Sequence, residues 1–272
     1  MYLSINGALH DINIQTVSPN SEGFQYGYGL FETIKICNGK LLFFDEHIQR
    51  LKNGCTSLNI PIKENFCFLK YYSKDLILAN NIKYGALKIL YTKNKDKYDF
   101  YLYTRNNPYT KELYHKGFYV CFSEIKKNPH TPLTYVKSAN YLESLLCKNR
   151  ATENGYDEVI LTNVYNHLCE GSLSNLFFVK GNVLFTPDLS CGLLPGIMRD
   201  QVIEMTKYLN LTIQIGNFNK SELLNSDEIF LTNSLMDIMP VSKVENQHFD
   251  ITNNFITKKL MENIIEKENY YG

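Results

Sequence analysis

The most informative part of the chain is Tyr26-Gly27-Tyr28-Gly29-Leu30-Phe31-Glu32-Thr33, where a turn with two glycines leads directly into an apolar, strand-like run. Glycine permits tight turns and lets the backbone approach a neighbour closely. Residue 32 is glutamate where a dinucleotide-binding turn would have its third glycine, and no P-loop lysine follows, so neither nucleotide motif is indicated. The segment predicts a turn before strand Leu30–Cys37, either purely structural or facing a substrate.

The flanking sequence predicts both strands and helices. Short apolar runs around Asn6-Gly7 predict a hairpin over Met1–Ile14. Apolar residues at helical spacing predict a helix capped by Asp45 and further helices over Ser138–Asn154 and Gly196–Leu209. Because these elements do not alternate regularly as β-α-β units, the sequence predicts an α+β fold.

Two breaks that contain proline divide the chain. The first is Asn106-Asn107-Pro108, and the second is Asn128-Pro129-His130-Thr131-Pro132. The first break predicts a boundary between a small N-terminal α+β domain, residues 1–107, and a larger C-terminal α+β domain, residues 108–272. We expect an interdomain loop within residues 106–132.

Composition and charge exclude several classes of protein. The chain has 272 residues, of which 44% are hydrophobic and 21% charged, as expected for a folded domain. Lys plus Arg and Asp plus Glu both total 28, so a broad basic surface for nucleic acid is not expected and any anion must be bound at a local site. The N terminus lacks a basic and apolar leader, and no apolar run approaches the roughly 20 residues that span a bilayer. We therefore expect no membrane association and a cytoplasmic location.

The cysteines and histidines do not predict a metal site. The seven cysteines include no C-x-x-C pair, and the six histidines include no pair at H-x-x-x-H spacing. We expect free thiols in a reducing compartment and no bound metal.

Four segments carry residue types suited to binding a charged ligand, three of them for an anion and one, Glu170, for a cationic group. Arg50 lies on a predicted helix and offers a guanidinium fork for phosphate, although lone arginines commonly lie at the surface. Pro195-Gly196 begins a helix whose N-terminal N–H groups suit an anion, or is an ordinary helix start. Lys137 begins a predicted helix, where the helix dipole disfavours a cation, so either another contact fixes it or it is a surface lysine. Glu170 places a carboxylate before an apolar strand.

In their order along the chain, these segments resemble the class IV (fold type IV) pyridoxal-phosphate-dependent enzymes. That family includes branched-chain aminotransferase, D-amino-acid aminotransferase and 4-amino-4-deoxychorismate lyase. The resemblance covers about residues 1–245. The matching segments are Tyr26–Thr33, His47-Ile48-Gln49-Arg50-Leu51, Lys137 with Asn140-Tyr141-Leu142, Gly155-Tyr156-Asp157-Glu158, Glu170-Gly171-Ser172, Asn175-Leu176-Phe177, Phe185-Thr186-Pro187, Leu194–Arg199 and Thr232-Asn233-Ser234.

The resemblance implies a two-domain D-amino-acid aminotransferase-like fold with pyridoxal 5'-phosphate held between the domains. Lys137 would bind the cofactor as a Schiff base and carry protons, and Glu170 would pair with the pyridine nitrogen. The groups that would hold the cofactor's oxygens are the Arg50 guanidinium, the N–H groups of Ile197 and Met198 and the Ser234 hydroxyl for the phosphate, and Tyr141 for the 3-oxygen.

Three positions make the sequence most similar to the lyases of the family. Met198 stands where the aminotransferases commonly have threonine, and Thr33 and Asn233 stand where the branched-chain enzymes have glycine. Thr33 would orient or relay a proton and Asn233 would bond the substrate, with Tyr26 and Phe31 as the other substrate-binding residues. The alternative is that Thr33 is only a β-branched strand residue and Asn233 only a turn residue.

The expected activity is therefore that of a lyase releasing 4-aminobenzoate and pyruvate, a step of folate biosynthesis. One alternative is a class IV aminotransferase that acts on D-amino or branched-chain amino acids. A more remote alternative is a catalytically silent pyridoxal-phosphate-binding protein, which the presence of both Lys137 and Glu170 disfavours. The resemblance also implies a homodimer that acts on a small-molecule substrate.

Overall fold

The computed structural model describes residues 1–14 and 17–271, and it confirms a mixed α+β fold. The chain divides into two compact units. The first unit comprises Met1–Pro108, Val136–Tyr141 and the chain from Glu268 onward, and the second comprises Tyr109–Tyr135 and Leu142–Lys267. The first unit therefore includes a short segment, Val136–Tyr141, that lies well beyond residue 107 in sequence.

The helices and strands of the described residues are as follows. The helices are α1 (Glu22–Tyr26), α2 (Phe44–Ser57), α3 (Leu69–Ala79), α4 (Lys111–Lys116), α5 (Leu142–Glu153), α6 (Ile197–Tyr208), α7 (Lys220–Leu224) and α8 (Phe255–Tyr271). The strands are β1 (Tyr2–Ile5), β2 (Ala8–Asp11), β3 (Gly29–Cys37), β4 (Lys40–Leu41), β5 (Gly85–Asn94), β6 (Lys97–Arg105), β7 (Phe118–Lys127), β8 (Glu158–Asn163), β9 (Leu168–Gly171), β10 (Asn175–Lys180), β11 (Val183–Pro187), β12 (Thr212–Gly216), β13 (Glu228–Asn233), β14 (Asp237–Val244) and β15 (Gln247–His248).

The first unit is built on an antiparallel sheet with the strand order β2-β1-β6-β5-β3-β4. Side chains alternate along β3, so Leu30 and Ile34 lie on one face and pack with residues of α2 and α3 in the core. Phe31 and Thr33 lie on the opposite face. That second face carries two of the candidate residues of this unit, Phe31 and Thr33.

The second unit contains a larger mixed sheet with the path β12-β11-β10-β13-β14-β7-β8-β9. Strand β9 pairs with β10 as well as with β8, through Asn175 and Glu170, so six of the described strands close into a ring. Its apolar core includes Leu176, Ile229 and Met239. Glu170 therefore lies at the point where the ring closes.

Helix α5 begins at Leu142, so the predicted helix over Ser138–Asn154 is wrong at its N-terminal end. Residues before it run beside β3 instead: Phe31 N–H donates to the Lys137 carbonyl at 2.9 Å, and Ala139 N–H donates to the Gly29 carbonyl at 2.9 Å. Ser138 forms an antiparallel bridge with Leu30. Lys137 is therefore fixed by β-type hydrogen bonds and does not begin a helix.

Other differences have local causes. Helix α2 is capped by Phe43, which adopts a left-handed conformation with φ 53°, and not by Asp45. The expected loop at 106–132 contains α4 and β7. Strand β14, which was not predicted from the sequence, contains Pro240, a residue that lacks an N–H donor and is unusual inside a sheet. Over the residues that the structure describes, no helix is both long enough and apolar enough to cross a bilayer.

Candidate active site

The glycine-rich turn of the first unit seats the segment that carries Lys137. Gly27 ends α1 in the left-handed conformation, with φ 62°, and a Cβ there would lie 3.2 Å from the backbone of Ala139. Asn140 donates its Nδ2 hydrogen to the Gly27 carbonyl at 3.0 Å. The glycine is therefore needed for both its conformation and a close backbone approach.

The Lys137 amine lies in an aromatic corner. Its Nζ is 4.6 Å from the centre of the Phe31 ring and 5.5 Å from that of Tyr141. The two rings meet edge to face, with centroids 5.2 Å apart. The structure thus brings together three of the residues predicted from the sequence.

A second amine, Lys88, lies over the same Phe31 ring, with Nζ 3.5 Å from its centre. Lys88 stands directly opposite Thr33 in the register of β3 and β5, so both side chains lie on the Phe31 face of the sheet. Burial, together with the positive charges of Lys137 and Arg105, lowers the pKa of Lys88 to about 7. Lys88 could not be identified from the sequence because its position depends on the pairing of two strands.

Arg50 is held by an acidic residue on the core side of β3. Its Nε donates to Glu32 Oε1 at 2.9 Å and its Nη2 donates to Glu32 Oε2 at 2.6 Å. His47 Nδ1 lies 2.7 Å from Glu32 Oε2. Arg50 is therefore not a free surface arginine, as the alternative interpretation of the sequence would have it.

The predicted substrate residues of this unit differ in environment. Thr33 is half-buried on the face that carries Phe31. Tyr26 is the last residue of α1 and is 68% exposed, so it is not part of the packed aromatic corner of its unit. The role predicted for Tyr26 stays a prediction.

In the second unit, the buried Glu170 carboxylate has several donors. Lys127 Nζ lies 2.5 Å from Oε1, and Leu194 N–H donates to Oε2 at 3.0 Å. Asn175 donates to Oε2 at 3.5 Å and to the Leu194 carbonyl at 2.9 Å. Burial opposes the charged form of Lys127, but the charge of Glu170 and the hydrogen bond to it raise the pKa of Lys127 above its usual value. Sequence analysis did not identify Lys127.

The start of α6 supplies an anion-binding geometry. Gly196 is its N-cap, and a Cβ at this position would collide with the Asn175 side chain. Among the described residues no side chain caps the helix, which begins with the buried pair Ile197 and Met198. Uncapped N–H groups and the helix dipole make this end favourable for a phosphate.

Asn233 and Ser234 lie in the turn between β13 and β14, and both are half-buried. Asn233 Oδ1 accepts from the N–H groups of Leu235 and Met236 at 2.9 Å each, and its Nδ2 donates to the Leu173 carbonyl at 3.2 Å. The Asn233 amide thus stabilises its own turn, as expected if Asn233 is only a turn residue. Its role toward a substrate stays a prediction.

The loop that follows Glu170 is organised by the buried Glu158. This carboxylate accepts from the Ser172 N–H at 3.2 Å, from the Leu173 N–H at 3.3 Å and from the Ser172 hydroxyl. Leu173 in turn meets Asn233, so one hydrogen-bonded network connects Glu158 to the turn after β13. No group of three or more possible metal ligands is found in residues 1–14 and 17–271.

Comparison with known proteins places this geometry in context. The family profile of Amino-transferase class IV matches residues 29–244. Aminodeoxychorismate lyase of Bacillus subtilis (strain 168) is 27% identical over 262 residues, covering 90% of this chain and 87% of that protein. D-alanine aminotransferase of Bacillus licheniformis is 28% identical over 260 residues, covering 91% and 89%. The crystal structure of Escherichia coli branched-chain amino acid aminotransferase has a TM-score of 0.92 and 26% identity, covering 97% and 93%. By their names, these relatives divide between a lyase and aminotransferases.

Proposed function

Because this chain belongs to the Amino-transferase class IV family, we propose that it is a 4-amino-4-deoxychorismate lyase, which releases 4-aminobenzoate and pyruvate. It is a fold type IV enzyme, and its cofactor is pyridoxal 5'-phosphate. The aminotransferase reaction on D-amino or branched-chain amino acids is the second candidate, because relatives of that class match equally well.

Each unit, taken by itself, contains residues that suit particular chemical groups of pyridoxal phosphate. The uncapped start of α6 and the guanidinium of Arg50 suit a dianionic phosphate, with Ser234 as a further donor. The buried Glu170 suits a protonated ring nitrogen, and Lys137 supplies the amine that binds the cofactor covalently. When bound, the cofactor withdraws electrons from the substrate's α-carbon.

The main support for a lyase is the group of cations on one face of the sheet of the first unit. Lys88 and Lys137 lie over one aromatic ring, and the charge of Arg105 acts on Lys88. The proposed substrate is a cyclohexadiene with two acidic arms, whose carboxylates complement the positive charges of Lys88 and Arg105. An aliphatic amino-acid side chain would leave the half-buried Lys88 beside an apolar group, which is unfavourable for a charged amine.

Thr33 adds a hydroxyl to that face, directly opposite Lys88. The lyase reaction needs a proton delivered to the departing enolpyruvyl group, and a hydroxyl can both donate and accept. We therefore assign Thr33 to orienting or relaying this proton. The assignment of a homodimer in the cytoplasm belongs to the same proposal and has its support in the family resemblance alone.

The reaction can be tested without any amino acceptor. We expect the purified holoenzyme to convert 4-amino-4-deoxychorismate to 4-aminobenzoate and pyruvate in the absence of a keto acid. Thr33→Val removes the hydroxyl but keeps the β-branched shape, and should lower kcat by about 10²-fold or more. Thr33→Ser restores the hydroxyl and should recover most of the rate, as measured by 4-aminobenzoate fluorescence.

Two outcomes would contradict this assignment. Rapid transamination of D-alanine or leucine without formation of 4-aminobenzoate would support the aminotransferase. Equal rates for the Thr33→Val and wild-type enzymes would leave Thr33 as a strand residue only. Asn233→Gly is a less specific test, because it also removes the two hydrogen bonds that hold the turn.

Lys88 should make binding of the anionic substrate depend on pH. Its pKa of about 7 means that the ammonium form, which attracts carboxylates, is lost as the pH rises through 7. We expect KM for the substrate to rise above pH 7 in the wild type. Lys88→Arg should flatten this rise, whereas Lys88→Met should raise KM by about tenfold at pH 6. A KM that is the same in Lys88→Met and wild type would contradict a role for Lys88 in binding.

A further inference from the structure

We propose that Glu32 and His47 are positioning residues that fix the Arg50 guanidinium for the cofactor phosphate. The proposal rests on the proposed function, because that function assigns Arg50 to the phosphate. Neither Glu32 nor His47 needs to touch the cofactor. Their role is to hold one edge of the guanidinium in a single orientation.

Burial makes the Glu32 carboxylate a rigid support. Its side chain is 0% exposed and that of His47 is 1% exposed. Glu32 shares the core face of β3 with Leu30 and Ile34, which belong to the apolar cluster. A carboxylate at such a position is stable only when its oxygens are paired, so it restricts the groups that pair with it.

The spacing of α2 brings both partners to this carboxylate. His47 and Arg50 are three residues apart on the helix and therefore lie on one face. Arg50 binds side-on through Nε and Nη2, at 2.9 and 2.6 Å, and His47 Nδ1 bonds the same oxygen as Nη2. A phosphate would then bind a different edge of the planar guanidinium. The orientation of the guanidinium plane is fixed by Glu32.

The charge states of Glu32, His47 and Arg50 are consistent with a role in orienting the guanidinium. Burial works against the charged form of Glu32, but the charge of Arg50 and the hydrogen bonds from Arg50 and His47 hold its pKa at about 2. Burial lowers the pKa of His47, although Glu32 opposes this, so at neutral pH His47 is neutral and donates through Nδ1–H. Lys137 and Arg50 are the positive charges that also act on His47.

The negative charge of Glu32 thus offsets the positive charge of Arg50, and it repels a phosphate. If charge alone mattered, removing Glu32 would strengthen phosphate binding. A positioning role makes the opposite prediction, because a long arginine side chain without a fixed carboxylate loses conformational entropy when the phosphate binds.

The test compares cofactor with and without its phosphate. Apoprotein is titrated with pyridoxal phosphate and with pyridoxal, and the ratio of the two dissociation constants is measured by absorbance. Glu32→Asp keeps the charge but withdraws the carboxylate by one methylene, and should weaken pyridoxal phosphate about tenfold with pyridoxal unchanged. His47→Leu should act in the same direction, and His47→Asn, whose amide can replace the Nδ1 donor, should restore the ratio.

Controls separate positioning from general damage. Asp99 is a buried carboxylate of the same sheet that is bonded by Asn6 and Asn94, so Asp99→Asn should leave the ratio unchanged. Glu32→Asp with a wild-type ratio, or with both ligands weakened equally, would overturn the proposal. If Arg50→Lys also leaves the ratio unchanged, the assignment of Arg50 to the phosphate fails. A wild-type protein that binds neither ligand would instead refute the proposed function.

Discussion

Replacing Lys137 with alanine is expected to abolish turnover, with a loss on the order of 10³-fold or more in kcat. In the proposed function this residue supplies the amine that binds the cofactor covalently, and segment 136–141 has no other amine side chain. Borohydride reduction of the wild-type holoenzyme should fix the pyridoxyl group on Lys137. Peptide mapping by mass spectrometry identifies the labelled residue.

Lys88 provides a demanding control for this prediction. Its amine lies over the same Phe31 ring as that of Lys137, and its pKa of about 7 leaves a substantial neutral, nucleophilic fraction at physiological pH. Proximity and a lowered pKa would thus allow Lys88 to react. The backbone separates the two lysines, because Lys137 lies on a segment fixed to β3 and Lys88 lies within β5.

We therefore expect Lys88→Met to retain the label on Lys137 and its visible absorbance. The Lys137→Ala variant should lose the absorbance that borohydride removes. It should still bind pyridoxal phosphate reversibly, through the protein groups that hold the phosphate. A label on Lys88 in the wild type would refute the assignment of Lys137 and would shift the proposed site along the sheet face.

Candidate residues that lie in a family pattern could be proposed from the sequence, whereas residues whose position depends on strand pairing could not. Lys137, Glu170 and Arg50 stand in recognisable segments with fixed order. Lys88 lies in β5, and the sequence does not indicate that Thr33 of β3 is the residue opposite it. Register between β3 and β5 comes from packing over the whole sheet, which no local pattern encodes.

Lys127 was still harder to predict. It is the last residue of β7, and the pairing of β7 with β8 is irregular between Phe122 and Lys126. Such an irregularity breaks the alternation of side chains, so counting along the strand does not predict which face Lys127 occupies. The helix predicted before Leu142 failed for a similar reason, since hydrogen bonds to β3 replace helical ones there.

The substitution Glu170→Gln is expected to affect both turnover and stability, because Glu170 also pairs with Lys127. The amide keeps a hydrogen-bonding side chain near Leu194 and Asn175 but removes the charge that, in the proposed function, stabilises a protonated ring nitrogen. We expect kcat to fall by about 10²-fold or more, since the electron-withdrawing power of the ring depends on that proton. Cofactor should remain bound through Arg50 and the start of α6.

Glu170→Gln should also destabilise the protein, for a reason separate from catalysis. Lys127 is 13% exposed, and losing its carboxylate partner leaves a buried ammonium, which typically costs roughly 3–5 kcal/mol. Adding Lys127→Met to Glu170→Gln removes this charge, so the melting temperature should recover while kcat stays low. If the double variant regained activity along with stability, the loss in Glu170→Gln would be due to misfolding. Near-full activity of Glu170→Gln would show that the charge does not act on the ring. Recovery of stability alone therefore identifies Glu170 as an electrostatic partner of the cofactor.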